Sequence, residues 1–239
     1  KYAIADLPEL RTAVQGWYKK RYNVELEEDE IMSVSGSQEG LAHIGLVLFN
    51  PGDICLVPTP CYPIFEIGPF LSGAKIEYYQ LKEENDYELD LDSIPEELAY
   101  KAKAIIVSYP ANPVSASVRP EFYPKLIAWA KKYNVIVIHD NAYSEITFEG
   151  FEGTSGARIS FCLGNSKIIS EFKKLRSQID YGIFLPIQYA AIAALNSPMD
   201  NIEKNREEYR RRREVLSEEF GKAGLPVKLS TGSMFMWTR

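Results

Sequence analysis

Long apolar runs are missing from this sequence of 239 residues. None approaches the ~20 uncharged residues a membrane helix needs, and the N-terminus lacks the basic-then-apolar layout of a secretory signal. The expectation is a soluble globular chain in the cytoplasm with no membrane partner. Positive charge is also short, since 27 Lys and Arg stand against 33 Asp and Glu for a formal charge of −6. A binder of phosphate backbones presents an excess of Lys and Arg, so nucleic acid is set aside and small-molecule chemistry is favoured. Cysteine is sparse: Cys55, Cys61 and Cys162 show no CxxC spacing and sit among apolar residues, which reads as packing thiols in a reducing compartment rather than a metal or redox site. The two histidines, His43 inside an apolar stretch and His139 at the end of another, read as packed rather than catalytic.

What is present is an alternation of short and long apolar patterns. Leu7, Leu10, Val14, Trp17 and Tyr18 recur at helical spacing, with Asp6 as cap and Pro8 in the first turn. Strand-like runs at Ile31 to Val34, Ile54 to Val57, Ala104 to Val107 and Val135 to Ile138 take turns with helical patterns at Gly40 to Leu48, Pro63 to Leu71 and Pro120 to Tyr133. Such alternation implies right-handed crossovers and a largely parallel sheet covered on both faces, an α/β fold. Turn residues at Asn50-Pro51-Gly52-Asp53, Ser72-Gly73 and Tyr109-Pro110-Ala111-Asn112-Pro113 punctuate the pattern. Beyond Ile159 to Leu163 the spacing predicts helices near Ser166 to Arg176, Pro186 to Asn196 and Asp200 to Ala223, and a final strand-like segment at Met234 to Trp237. The run Arg210 to Arg213 follows Glu207 and Glu208 at the spacing of exposed helix pairs, so it reads as a solvated face.

In an open parallel sheet, ligands collect at the carboxyl ends of the strands. Gly36-Ser37-Gln38 follows the first strand and opens a helix, where free backbone N–H groups and a partial positive charge suit a phosphate. Taken alone this is a common helix start. Tyr62 follows the second strand and Asn112 the third, and either reads equally well as loop structure. Asp140 ends a buried strand, where a carboxylate needs a partner, and Tyr143 lies one short turn beyond.

The ordered set Gly36-Ser37-Gln38-Glu39-Gly40, Tyr62-Pro63, Tyr109-Pro110-Ala111-Asn112-Pro113, His139-Asp140-Asn141-Ala142-Tyr143 and Gly156-Ala157-Arg158-Ile159 resembles the motifs of class I/II aminotransferases of fold type I, nearest in texture to the diaminopimelate, aspartate and alanine aminotransferase branch. The resemblance covers nearly the whole chain. It implies a mostly parallel sheet of the seven-stranded type with helices on both faces, a large cofactor-binding domain at 1–196, and at 197–239 a long connecting helix with the start of a small domain that is otherwise largely absent. It implies pyridoxal 5'-phosphate as cofactor, with the Ser37 and Gln38 amides and Arg158 on the phosphate, and Tyr62 stacked on the ring. Asn112 and Tyr143 fall on its phenolic oxygen, and Asp140 pairs with the ring nitrogen. Tyr2 matches a tyrosine that reaches the phosphate of a neighbouring subunit, which implies a homodimer with shared active sites acting on an amino acid and a 2-oxo acid.

Two departures stand out. The family's Asn-Pro-Thr-Gly is here Asn112-Pro113-Val114-Ser115. The family's Ser-x-Ser-Lys, whose lysine carries the cofactor and moves the substrate proton, falls between the Asp/Tyr pair and the phosphate arginine, yet Ser144 to Ala157 contains no lysine. Lys167 comes after Arg158 and reads as a surface residue opening a helix. The favoured expectation is that a lysine-bearing stretch is missing near Gly150 to Ser155. The alternatives are a non-catalytic relative that binds a ligand, and a carbon-sulfur lyase or cyclopropane-forming synthase built on the same cage.

Overall fold

A computed structural model describes residues 3–143, 145–148, 159–225 and 227–238. The chain divides into two compact units, one formed by residues 1–48 and 156–199, the other by 49–155 and 200–239.

The second unit is built on a four-stranded parallel sheet in the order β3-β2-β4-β5, with β2 at Ile54–Thr59, β3 at Lys75–Gln80, β4 at Ala102–Ser108 and β5 at Ile136–Asp140. Strands β2 and β4 are central and buried on both faces, which is why they read as unbroken apolar runs. Strand β3 went unread because it is an outer strand, mostly exposed, in which Lys75, Glu77 and Gln80 interrupt the apolar residues. Helices α3 (Ile64–Leu71), α4 (Glu96–Lys101) and α5 (Phe122–Tyr133) form the crossovers. One sheet face packs Leu56, Ile105 and Val107 against Phe122 and Leu126 of α5, with Leu89 and Ile94 from the preceding loop. Side chains alternate along a strand, so Ile106, Ser108, Ile138 and Asp140 share the opposite face.

In the first unit, α1 (Pro8–Tyr22) lies against α7 (Leu185–Leu195), and α2 (Ser37–Leu48) against α6 (Ser166–Arg176). Its strands β1 (Ile31–Val34) and β6 (Ser160–Leu163) pair antiparallel, Ile31 opposite Leu163 and Val34 opposite Ser160. The α/β class with a mostly parallel sheet therefore holds, and the described residues supply six strands, four of them in the parallel sheet.

Three local expectations are corrected. Asp6 does not cap α1; it accepts from the Ser33 N–H at 2.8 Å and from the Ser33 hydroxyl, tying the entry of that helix to β1 instead. Met234 to Trp237 is not a strand, since the ladder there is a single bridge between Thr147 and Gly232. Along α8 (Asp200–Lys222), Arg211 and Arg212 do meet Glu208 at 2.9 and 2.8 Å on the solvated face, but Arg213 is buried over the ring of Phe148 at 4.2 Å. Four consecutive helical residues span more than one full turn, so one of them must face inward. Among the described residues no helix is long and apolar enough to cross a membrane.

Candidate active site

Strand β5 delivers Asp140 as its last residue, in register with Ser108, the last residue of β4. No hydrogen bond or ion pair reaches the Asp140 carboxyl among the described residues, and burial alone pushes its pKa from 3.8 up to about 6. A carboxylate in that position is costly until a cation meets it. Ser108, on the same face one strand away, is buried and has an unpartnered hydroxyl.

Asn112 follows β4 after a short loop, and its side-chain amide donates to the Tyr143 hydroxyl at 3.3 Å. The Tyr143 phenol is held above its ordinary pKa by burial; the Asn112 bond acts the other way, and the charges of Asp140 and Tyr62 raise it further. Tyr143 thus feels Tyr62, Asn112 and Asp140, which lie at or beyond the carboxyl ends of β2, β4 and β5. The ring of Tyr62 meets Phe65 edge-on at 6.4 Å and stays about one-third exposed, leaving aromatic surface for a ligand.

Loop 141–148, which carries Tyr143, is held by two arginines of α8 spaced seven residues apart. Arg206 bonds the buried Glu145 carboxylate at 3.3 Å and its backbone oxygen at 3.4 Å, and Arg213 covers Phe148. Sequence reading missed both contacts. The only signal was that spacing, which places 206 and 213 on one helix face.

In the first unit, β1 runs into Gly36, whose φ of +92° is suited to glycine, and α2 starts at Ser37. Glu39 reaches back to the Ser35 N–H at 2.7 Å, meets His43 at 3.2 Å, and lies 3.5 Å from Arg176, which also bonds Asp180 at 2.8 Å and the Ser33 carbonyl. These contacts fix the start of the helix, whose first turn opens at Ser37 and Gln38. Tyr2 and Arg158 lie outside the described residues, as does the stretch 150–155.

The remaining candidates behave as packing or surface groups. Burial pushes Cys55 and Cys162 up to about 12 and Cys61 up to about 11, as expected of inert thiols. His139, on the outer strand β5, packs its ring edge-on against Tyr123 at 5.5 Å, and burial of the imidazole pushes its pKa from 6.5 down to about 4, as expected of a packed histidine. Lys167 is exposed near the start of α6.

The sequence pattern of the family described as aminotransferase class I and II matches residues 1–154 and 151–239. An LL-diaminopimelate aminotransferase of Aquifex aeolicus is 40% identical over 256 residues, taking in 97% of this chain and 66% of that protein. The glutamate-pyruvate aminotransferase AlaC of Escherichia coli is 36% identical over 258 residues, 98% of this chain and 63% of that protein. Among solved structures, substrate-bound BacF from Bacillus subtilis superposes with a TM-score of 0.95 at 29% identity, covering 99% of this chain and 67% of its own. An aminotransferase from Staphylococcus aureus gives 0.91 at 26%, covering 97% and 68%. The chain therefore spans just under two thirds of the length of these curated relatives. The family match is broken into two segments that meet at 151–154, and the alignments run longer than the chain itself, so the relatives carry residues with no counterpart here.

Proposed function

Because the chain belongs to the class I and II aminotransferase family, we propose that it is the cofactor-binding part of a pyridoxal-phosphate-dependent enzyme that moves an amino group between an amino acid and a 2-oxo acid. The relatives named for diaminopimelate and for glutamate and pyruvate support that substrate class. The observation that carries the reading is the Asp140 carboxyl, half-buried at the end of β5 with no protein partner among the described residues. A protonated pyridine nitrogen is the cation it suits, and the hydrogen-bonded pair Asn112 and Tyr143 beside it suits a phenolic oxygen. The residues present therefore fit the group.

Pyridoxal phosphate, when bound, supplies an electron-accepting ring and an aldehyde that takes up the substrate's amino group. In this reading Asp140 keeps a proton on the ring nitrogen, Asn112 and Tyr143 donate to the phenolic oxygen, and Tyr62 covers a ring face. The Ser37 and Gln38 amides and Arg158 take the phosphate. Tyr2 serves the phosphate of the other subunit in a homodimer, an assembly supported by the exposed Tyr181, Phe184 and Tyr189 of the first unit. The division at 196–197 and a cytoplasmic location belong to the same proposal, the first supported by α8 opening at Asp200 and the second by three free thiols.

Between Tyr143 and Arg158 this chain has no lysine to move the substrate's proton. Turnover then requires residues that the relatives carry and this chain does not. That same interval favours a second reading, a relative that binds the cofactor without turnover. Calorimetry with pyridoxamine 5'-phosphate, which needs no lysine, tests the shared premise: binding is expected, weakened at least about tenfold by Asp140→Asn through loss of one charge-assisted contact. Absence of binding refutes both readings. Transamination between glutamate and pyruvate after restoring a lysine-bearing segment at 150–155 separates them, since product formation supports the enzyme and its absence supports the silent relative.

A further inference from the structure

Asn112 and Tyr143 sit on different loops, and a third segment joins those loops. Residues 231–235 are bonded to both. Thr231 Oγ1 accepts from the Ser117 N–H at 2.8 Å, and the Gly232 N–H points to the Ser115 carbonyl at 3.4 Å. On the other side, the Thr231 carbonyl accepts from Phe148 N–H at 3.1 Å and the Ser233 N–H donates to the Ile146 carbonyl at 2.7 Å.

At the centre are two serines that face each other. The Ser233 hydroxyl accepts from the Phe235 N–H at 3.2 Å and donates to the Ser115 hydroxyl at 3.1 Å, which in turn points to the Pro113 carbonyl at 3.4 Å. Phe235 presses its ring edge-on against Tyr143 at 5.4 Å, and Pro113 is the residue after Asn112. The chain of contacts therefore closes on itself through the Asn112–Tyr143 hydrogen bond. Both serines are almost fully buried and both are left-handed, with φ of +56° at Ser115 and +66° at Ser233, a region that is unfavourable for any residue but glycine. Two strained residues whose hydroxyls bond one another form a unit, because removing one leaves the other buried, left-handed and short of one of its two hydrogen bonds. Ser115 also donates its N–H to the Ala111 carbonyl at 2.9 Å, so its backbone is part of the loop that presents Asn112.

We propose that the Ser115–Ser233 hydroxyl pair is a latch that positions Asn112 against Tyr143, making both serines positioning residues for the two donors offered to the cofactor's phenolic oxygen. The second half of this claim rests on the function proposed above; the first does not. It also accounts for a serine where the family has the glycine of Asn-Pro-Thr-Gly: the hydroxyl contact offsets the strain that glycine would avoid.

The test compares Ser233→Ala, Ser115→Gly and the double variant. In the ligand-free protein, the side-chain amide resonances of Asn112 and the ring resonances of Tyr143 are expected to move in Ser233→Ala. They return in the double variant, where a glycine takes up the left-handed conformation with no hydroxyl left to satisfy. With pyridoxamine 5'-phosphate bound, absorbance against pH reads ionisation of its phenolic oxygen. Ser233→Ala is expected to weaken that ionisation by up to about tenfold, the worth of one hydrogen bond to a charged oxygen, and the double variant to recover it. If Ser233→Ala lowers resistance to urea while leaving the Asn112 and Tyr143 signals and the ionisation midpoint in place, the pair is only a packing contact and the latch is refuted. Failure of the wild-type chain to bind the probe overturns the proposed function instead, and the ligand-free resonances then decide the latch.

Discussion

Replacing Asp140 by asparagine has consequences of opposite sign for stability and for binding. In the folded chain its carboxyl is pushed by burial from 3.8 up to about 6. A carboxyl that ionises later in the folded chain than in the unfolded one lowers stability as pH rises. The loss begins near pH 4, grows to about pH 6 and is constant above it; below pH 4 both states hold the proton and there is none. Such a shift corresponds to about 3 kcal/mol of stability lost at neutral pH. An asparagine keeps the shape without the charge but leaves its own amide poorly satisfied, which returns about 1 kcal/mol of that gain. Asp140→Asn is therefore expected to stabilise the ligand-free protein by about 2 kcal/mol at pH 7, or roughly 4–8 °C in melting temperature for a chain of this size. At pH 4 the carboxylate loss is gone and only the amide cost remains, so the variant should there be about 1 kcal/mol less stable than wild type. Melting curves of both proteins from pH 4 to pH 8 measure it directly. A variant less stable than wild type at pH 7, or a difference that does not change with pH, would mean that the Asp140 carboxylate has a partner, and the reasoning from its burial fails.

Arg206→Met should cost about 3 kcal/mol in urea unfolding by removing the guanidinium that meets the buried Glu145 carboxylate at 3.3 Å, and a Glu145→Met partner change should recover most of it; additive losses would show the pair to be independent. Gly232→Ala should cost about 1–3 kcal/mol, because a methyl group there would lie 2.4 Å from the Ser117 hydroxyl oxygen and 2.8 Å from the Pro110 ring. A neutral result in the same unfolding assay would mean that the segment can shift without loss.

The central strands were legible because burial on both faces leaves little choice of residue: β2 and β4 carry runs of Ile, Val, Leu and Ala, the outer strand β5 keeps such a run at Ile136 to Ile138, and α6, α7 and α8 fall within a residue or two of their apolar patterns. The other outer strand, β3, was not, since it must present Lys75 and Glu77 to water and so hides its strand character. Of the candidate site, the sequence pattern placed Asp140 as the last residue of a strand and Asn112 in the loop after one, and both lie there. What holds those residues in place was not legible. Glu145 with Arg206 is separated by 61 positions and Ser115 with Ser233 by 118, and no local pattern relates such partners. The left-handed φ of Ser115 was equally invisible, since serine gives no sign of it.

The most direct measurement is nitrogen NMR of pyridoxamine 5'-phosphate labelled at its ring nitrogen and bound to this chain at pH 8. A carboxylate at position 140 facing that nitrogen keeps it protonated in the wild-type complex, and the Asp140→Asn complex should show the chemical shift of the unprotonated ring. An unprotonated ring in the wild-type complex, or the same shift in both, would contradict the account.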